Sequence, residues 1–384
     1  EHYDELSDHI KVETKDPDLY PKFTSQYTDQ TVAANSVIVV CGDKSKVVSN
    51  SDMWETSTNY QTYQTQTTGF DGEGQITSAI TYVTSENNPK VYWVTGHGEA
   101  SESDLSTNFS DAINKNNVEI SDLALMTDDI PEDAEELVIM SPTTDFSEDE
   151  ANKVITYLEN GGKLLMFTSY TGTDMPNLDS ILENYGVKRS RGIVVETDSQ
   201  HYYPQMPYYL LPNIQSDDIT TEVKSNYILM PVAQAIQKLD SYRDTITIKS
   251  LLTTTEDAYI ENDPENSTWS KSADSETGAF DLGVSITETV DDKETQIIYF
   301  SSASMLSSQI DQAISGANSK LAATALTSMC DVEQTVVIPS KSTSYTNLVF
   351  TQGAVNTWSI ITIAGIPLVL VVIGVMIWMK RRKQ

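Results

Sequence analysis

Short apolar runs alternate with segments of helical spacing between about residues 90 and 198. Runs rich in β-branched and other apolar residues predict buried strands over 91–95, 118–120, 137–140 and 163–168. Between the first two runs, one face of a helix is predicted from the apolar positions Leu105, Phe109, Ala112 and Ile113. Parallel strands need crossover connections, which are nearly always right-handed. The pattern therefore predicts an α/β fold, a doubly wound domain with a mostly parallel sheet.

A second helix has a start and an end that can be read from the sequence. Ser147 and Glu150 form a capping box, in which each side chain bonds to the backbone N–H of the other. The apolar face that follows consists of Ala151, Val154, Ile155 and Leu158. Gly161 and Gly162 come next, and glycine supplies the left-handed conformation common at helix ends. A third helix is predicted over 176–185.

The flanking regions carry weaker patterns. Residues 1–88 predict a smaller N-terminal α/β lobe with strands over 36–41 and 45–48, a helix over 74–83 and an exposed loop over the polar stretch 56–68. Beyond residue 198, further elements are expected to return to the sheet and complete it: strands over 245–252, 280–290 and 295–300, and a helix over 321–329. An α/β ectodomain with a Tyr/Pro-rich and an acidic insertion (255–276) is thus predicted over 89–330.

The C-terminal pattern is of another kind, because residues 358–379 are uncharged and a basic cluster follows them. About 20 apolar residues span a bilayer, and Trp358 and Trp378 stand near the two ends, where such rings prefer the interface. One transmembrane helix is predicted, after a juxtamembrane stalk over 331–357 and before a tail over 380–384. Because Lys and Arg favour the cytoplasmic side, the tail is expected in the cytoplasm and the ectodomain outside the cell membrane.

An exported domain requires a targeting segment. The first residues, EHYDELSDHIKVE, are polar and acidic, unlike the basic and apolar regions of a signal peptide. An N-terminal signal or anchor helix is therefore expected to be missing from this chain. A tail-anchored cytosolic protein is the alternative, and it would place the basic cluster outside.

Charge limits the possible partners. The chain has 24 Lys and Arg against 56 Asp and Glu, a net charge of -32. Nucleic acid is excluded as a partner, because binding it relies on neutralising phosphates with Lys and Arg. The two cysteines, Cys41 and Cys330, are too few for a Cys-ligated metal site. Buried free thiols are expected, with a single bridge as the alternative. N-glycosylation triplets begin at Asn108 and Asn266.

Candidate chemistry lies where ligands bind in open α/β sheets, beyond the carboxyl ends of the strands. The turn Gly96-His97-Gly98-Glu99 follows the first strand, Ser141 follows the third and Ser169 the fourth; Ser301 and Ser302 follow the strand over 295–300. His97 and Glu99 could supply a base or bind a ligand, since glycines allow close approach. A tight turn that caps the next helix is the alternative.

Several enzyme classes lack their motifs here. No G-x-S-x-G elbow is present, and Pro142 cannot donate the N–H that an oxyanion hole takes from the residue after the nucleophile. Nucleotide-binding P-loops, GxGxxG and zinc-binding histidine spacings are missing too. The acidic stretches 128–129 and 148–150 are interpreted as solvated surface rather than calcium ligands. No catalytic residue, metal or cofactor is predicted.

Four tyrosines form a separate candidate surface: Tyr202, Tyr203, Tyr208 and Tyr209. Tyrosine is enriched at interfaces because it joins a large ring to a polar tip. The cluster therefore predicts a protein or glycan docking surface. A loop folded onto its own domain by the same rings is an equal alternative.

The order of these segments resembles the GldG-like family, the auxiliary component of ABC-type transport systems named from gliding motility. The resemblance rests on GEGQITSAITYVTS, VYWVTGHGE, DIPEDAEELVIMSPTTDFSEDEANKVITYLENGGKLLMF, VVIPSKS and the final span with its basic stop. It implies a flavodoxin-like or class I amidotransferase-like fold without the catalytic Cys. It also implies that the TGHGE turn is the functional loop.

The resemblance further implies a non-enzymatic, membrane-anchored subunit that works beside an ABC permease and a separate ATPase. Its ectodomain would bind a partner or cargo outside the cell. Two other functions remain open from the residues alone: a cell-surface binding or adhesion module that uses the tyrosines, and a membrane-anchored hydrolase or amidotransferase-like enzyme.

Overall fold

The computed structural model describes residues 2–16, 19–20, 22–28, 31–59, 64–85, 88–265, 268–330, 338, 341–342 and 350–382. The described chain forms two compact units. Unit 1 comprises residues 1–88, 115–117 and 333–345, and unit 2 comprises 89–114, 118–332 and 346–384.

The α-helices are, in chain order, α1 (His2–Leu6), α2 (Gly72–Thr84), α3 (Thr107–Lys115), α4 (Glu148–Glu159), α5 (Pro176–Asn184), α6 (Ser308–Ala313), α7 (Ala317–Met329), α8 (Gln352–Ile360) and α9 (Ile366–Arg382). The strands are β1 (Val37–Cys41), β2 (Lys44–Val48), β3 (Trp54–Asn59), β4 (Gln64–Phe70), β5 (Lys90–Thr95), β6 (Glu119–Ala124), β7 (Glu136–Met140), β8 (Lys163–Phe167), β9 (Val187–Val195), β10 (Tyr202–Tyr203), β11 (Met206–Leu210), β12 (Asn213–Ile214), β13 (Met230–Pro231), β14 (Gln234–Lys238), β15 (Ile246–Thr253), β16 (Tyr259–Glu261), β17 (Asp281–Val290), β18 (Lys293–Phe300) and β19 (Lys341–Ser342).

Unit 1 holds two small antiparallel sheets. β1 and β2 pair beside α2, and Val48, Met53 and Ala79 form the centre of their small core. β3 and β4 pair antiparallel, and β19, from the segment predicted as a stalk, adds to β4. The exposed loop predicted over 56–68 is therefore wrong for the described residues of this stretch, since all of them lie in β3 and β4. Thr is favoured in strands because its branched side chain fits a pleated surface. The polar composition of this stretch predicts a loop only because it hides the strand propensity of its threonines.

Unit 2 is built on a parallel sheet with helices on both faces. β6, β5, β7, β8 and β18 lie side by side in this order, and every neighbouring pair is parallel. Phe109 of α3 and Leu321 of α7 pack into one core, whereas Val154 of α4 and Leu178 of α5 pack into the other. The predicted α/β layering is confirmed, and so are the capping box at Ser147 and the left-handed Gly161 after α4.

The sheet continues beyond β18 with antiparallel strands. β17 pairs with β18, and β14, β9 and β16 follow in order. β15 also pairs with β17 and carries β12. The expectation that the C-terminal half returns to the sheet is confirmed. The result is a large mixed sheet, in which the strands predicted over 245–252 and 280–290 are antiparallel.

One helix in the described part of the chain is long and apolar enough to cross a membrane. It runs over Gln352–Arg382, the mean hydropathy of an 18-residue stretch within it is 2.9, and it contains the predicted span over 358–379. A π-helical turn at Ile361–Gly365 joins α8 to α9. Pro367 lies two residues after this turn, and its ring clashes with the carbonyl four residues earlier, a known cause of such interruptions.

The two thiols differ in environment. Both cysteines are free; Cys330 is buried, as expected, and Cys41 is exposed. The expectation of a buried thiol is therefore wrong for Cys41, because it pairs with Lys44 at the turn end of a two-stranded sheet. The triplet at Asn266 lies outside the described residues.

Candidate functional site

Successive parallel strands are added on opposite sides of β5. From β5 the chain passes to β6 on one side, and it then returns to β7 on the other side of β5. Such a switch point leaves a crevice beyond the carboxyl ends of the strands, where ligands of open α/β sheets bind. The TGHGE turn follows β5 and Ser141 follows β7, so both predicted loops lie at this crevice.

The turn after β5 needs its glycines. Gly96 has φ +121° and Gly98 has φ +78°, a region that side chains with a Cβ rarely adopt. A Cβ on Gly98 would also lie 2.1 Å from Oγ1 of Thr143. The turn therefore packs directly against the loop after β7.

His97 is held between two buried carboxylates. Its Nδ1 lies 3.2 Å from Oε1 of Glu99, and its Nε2 lies 3.3 Å from Oε2 of Glu150. The side chains of these residues are 5%, 2% and 5% exposed. The ring packs on Phe146, with centroids 4.3 Å apart. Each ring nitrogen therefore has a carboxylate oxygen as its hydrogen-bond partner.

Glu150 joins this turn to the start of α4. Its Oε2 accepts hydrogen bonds from the N–H of Ser147, at 2.9 Å, and from its hydroxyl, at 2.7 Å. Burial raises the pKa of Glu150, but the Ser147 hydrogen bonds and the neighbouring His97 outweigh burial and lower it below the ordinary value. The capping carboxylate therefore stays ionised and holds the histidine.

The switch-point crevice is occupied by the protein's own groups. The carbonyl of His97 accepts hydrogen bonds from the N–H groups of Thr143 and Thr144, at 2.9 and 3.0 Å, and from both of their hydroxyls. The glycine turn and the loop after β7 thus close on each other. A ligand that entered here would have to break these bonds.

Ser141 and Ser169 meet, but they do not reach the histidine. Ser141 Oγ donates to Ser169 Oγ at 2.8 Å, and both ring nitrogens of His97 face carboxylates. Ser141 has φ +54°, a strained conformation for a non-glycine residue. Ser302, by contrast, is buried and donates to the carbonyl of Pro231 at 2.6 Å. Neither Ser141 nor Ser169 is therefore paired with the imidazole as a nucleophile with its base.

The tyrosines form a hairpin, which we call the aromatic hairpin (residues 202–210, β10 and β11 with their turn). Tyr203 and Tyr209 pack on the main core of unit 2. Tyr208 packs on Trp269, with ring centroids 4.4 Å apart, and Tyr202 is half-buried. The hairpin is thus folded onto its own domain by two of its rings and keeps the other two at its surface.

A groove of about 900 Å³ lies at the opposite end of the sheet, beside the starts of β7 and β8. Its walls come from the loop over 129–135 and from α4, including Tyr157 and Lys153. Lys153 donates to the carbonyls of Leu125 and Asp128, at 2.9 and 2.8 Å. In the part of the chain that the structure describes, no group of three or more His, Cys, Asp or Glu side chains is arranged to hold a metal ion.

Three contacts of the site were not predicted from the sequence. They are the pairing of Glu150 with His97, the threonine cover of the His97 carbonyl, and Phe146 under the ring. Glu150 was recognised as a cap, but its second partner lies 53 residues away. The interpretation of 148–150 as solvated surface is therefore wrong for Glu150, which is buried.

The fold places the chain in a broad class of proteins, those in which a mixed α/β domain is joined to a long apolar helix. The model of the family ABC_transp_aux, described as an ABC-type uncharacterized transport system, matches residues 88–328. The chain therefore belongs to this family of auxiliary, transport-associated proteins, which is not a known class of enzymes. No curated protein matches it.

Solved structures resemble the chain at low identity. The mmIFT52 N-terminal domain has 15% identity and a TM-score of 0.46 over 62% of this chain and 96% of that one. A protein from Parabacteroides merdae described as ThuA-like has 13% identity and a TM-score of 0.34 over 69% and 99%. A protein from Thermoplasma acidophilum described as part of a GMP synthase has 11% identity and a TM-score of 0.32 over 64% and 97%.

Proposed function

We propose that the chain is a non-enzymatic, membrane-anchored auxiliary subunit of an ABC-type transport system, whose extracytoplasmic domain binds a partner or cargo. The observation that carries the proposal is the family match over residues 88–328 in a chain that also has a membrane-length apolar helix. An ABC permease and, through it, a separate ATPase are the proposed partners.

The closed switch point argues against catalysis by the glycine turn. His97 is enclosed by Glu99 and Glu150, and its carbonyl is covered by Thr143 and Thr144. A general base must come within hydrogen-bond reach of its substrate, and this imidazole has no free nitrogen. In the proposal, the turn is a rigid support for the surface around it.

The finer assignment to the GldG-like, gliding-motility type also belongs to the proposal. It is supported by the sequence between residues 72 and 167 and by the order of the parallel strands. Numbered from β5, the order β6-β5-β7-β8-β18 is 2-1-3-4-5, which is the flavodoxin-like order. The antiparallel strands are then an insertion between the fourth and fifth parallel strands.

The test is purification of the tagged full-length chain from its own membranes in mild detergent, followed by quantitative mass spectrometry. A permease and an ATPase are expected in near-stoichiometric amounts. A matched chain ending at residue 350 controls for the helix and should lose both. Recovery of the full-length chain alone, while other ABC transporters of the same membrane stay intact, would contradict the proposal.

A further inference from the structure

The apolar C-terminal helix begins against the aromatic hairpin. The N–H of Gly353 donates to the carbonyl of Ser199 at 2.6 Å, and the Thr351 hydroxyl donates to Oε1 of Gln200 at 3.0 Å. In the other direction, the N–H of Gln205 donates to Oε1 of Gln352 at 2.8 Å. Three consecutive residues at the helix start are thus bonded to the hairpin turn and to the segment before it.

This junction is tightly packed. Thr351 is only 4% exposed, and its hydroxyl also caps the helix by accepting from the N–H of Ala354 at 3.1 Å. A Cβ on Gly353 would lie 1.5 Å from Nε2 of Gln200. The direction in which the helix leaves unit 2 is therefore set by this contact.

The surface beside the junction has the composition of a membrane interface. Residues 199–216 contain no Asp, Glu, Lys or Arg, although 21% of the chain is charged. Met206 is 37% exposed at the hairpin turn, next to Gln205. Tyr202 and Tyr208 are half-buried, and Trp269 packs on Tyr208. Tyr and Trp are enriched where protein meets the lipid headgroups, because their rings are apolar and their tips are polar.

The aromatic hairpin also lies within reach of the headgroup layer of the membrane. Trp358 follows Thr351 by seven residues, so the helix rises about 10 Å between them. A Trp at that end of a span is expected at headgroup level, and the headgroup layer is about 5–8 Å thick on each side. Side chains of the hairpin can therefore reach this layer.

We propose that the aromatic hairpin is a lipid-contacting surface that rests on the headgroups of the membrane crossed by the helix. The inference depends on the membrane anchor of the proposed function. The neighbouring loop over 255–276 carries seven Asp and Glu against one Lys, so the contact is with neutral rather than anionic headgroups. Tyr202, Met206 and Tyr208 are the side chains that meet the lipid.

The test uses the full chain in phosphatidylcholine nanodiscs that contain a nickel-chelating lipid. A nitroxide is attached at M206C in a C41S background, since Cys330 is buried and Cys41 is exposed. V290C is the matched control, because Val290 is 45% exposed and pairs with Lys293 at the start of β18. The hairpin lies beside the other end of β18, about 23 Å away along the strand.

Headgroup nickel should enhance the relaxation of the M206C label several-fold more than that of V290C. G353V should remove most of this difference, because its side chain would displace that of Gln200 and break the hydrogen bond between Thr351 and Gln200. Equal relaxation at both positions, or a difference that G353V leaves unchanged, would overturn the inference while leaving the proposed function intact. Failure of the chain to insert into nanodiscs would overturn both, and it would be seen before any label is measured.

Discussion

At the scale of single residues, two buried carboxylates of unit 2 have opposite environments. Glu150 accepts hydrogen bonds from Ser147 and faces His97, so its negative charge is compensated. Glu136, at the start of β7, is fully buried, and its Oε1 has no partner among the described residues. A buried carboxylate without compensation favours its neutral form. Glu136 should therefore be protonated where Glu150 is ionised.

The thiol next to Glu136 does not stabilise an ionised carboxylate enough to offset its burial. Cys330 Sγ donates to Oε2 of Glu136 at 3.3 Å, and this bond lowers the pKa of the carboxyl only in part. Burial is the larger effect and raises the pKa of Glu136 well above its ordinary value. Burial likewise raises the pKa of the Cys330 thiol, beside this carboxyl. Burial thus favours the neutral form of both groups.

We expect Glu136→Gln to stabilise the protein, and increasingly so as the pH rises. In the unfolded chain Glu136 ionises near pH 4.3, whereas in the folded chain it keeps its proton to higher pH. Its contribution to stability is therefore complete below about pH 4 and falls above it by at most ~1.4 kcal/mol per pH unit. Urea unfolding of both chains between pH 4 and 8 measures the growing difference.

Glu132→Gln is the control for the loss of one negative charge nearby, since Glu132 is exposed in the loop before β7. It should change the free energy of unfolding by less than about 0.5 kcal/mol. If E136Q and E132Q show the same pH profile, Glu136 is ionised in the folded protein and the assignment of its protonation state is wrong.

At the scale of elements, the closed switch point depends on one close approach. Gly98 faces Oγ1 of Thr143, which itself donates to the carbonyl of His97 at 3.2 Å. Two loops that follow different strands are thereby fixed to each other. The loss of unfolding free energy caused by a side chain at residue 98 should therefore depend on the side chain at residue 143.

Gly98→Ala should destabilise the protein through its left-handed backbone and through displacement of the Thr143 hydroxyl. Thr143→Ala removes that hydroxyl and loses a hydrogen bond worth about 1 kcal/mol. In the T143A background, G98A should cost about 1 kcal/mol less than in the natural chain, within the range of coupling between contacting residues. Urea unfolding of the four chains gives this coupling. If the changes in unfolding free energy of the two single variants simply add in the double variant, the two loops do not contact each other as described.

The elements that could be predicted from the sequence are those with local signals. β7 and β8 are continuous apolar runs, and α4 is bounded by Ser147 and Gly161. β9 and β14 were missed, because their pairing depends on partners far along the chain and neither is a simple apolar run. The polar strands β3 and β4 were read as a loop, since their composition concealed their β propensity.

The same distinction applies to the site. The TGHGE turn and the loops at Ser141 and Ser169 follow from strand ends, and the structure places them at one edge of the sheet. That Glu150 faces His97, and that threonines cover the crevice, are contacts between distant segments. Residue spacing carries no information on such contacts, so the enclosure of His97 could only come from the fold.

At the scale of the whole molecule, the open question is which side of the membrane carries the globular part. The C-terminal helix ends in Lys380, Arg381 and Arg382. Positive charges next to a span favour the cytoplasmic side, which predicts that the residues before it lie outside. The net charge of -32 does not oppose this membrane orientation, because Asp and Glu contribute little to the choice of topology.

The natural cysteines supply a direct test of this orientation. Cys41 is exposed and Cys330 is buried, so a maleimide should modify only Cys41 in the folded protein. In right-side-out membrane vesicles, a membrane-impermeant maleimide should label Cys41 at once and the C41S variant hardly at all. Gln384→Cys in the C41S background is the matched reporter for the tail, and it should react only after permeabilisation. The reverse pattern would place the globular part in the cytosol, where an extracytoplasmic partner or cargo could not be reached.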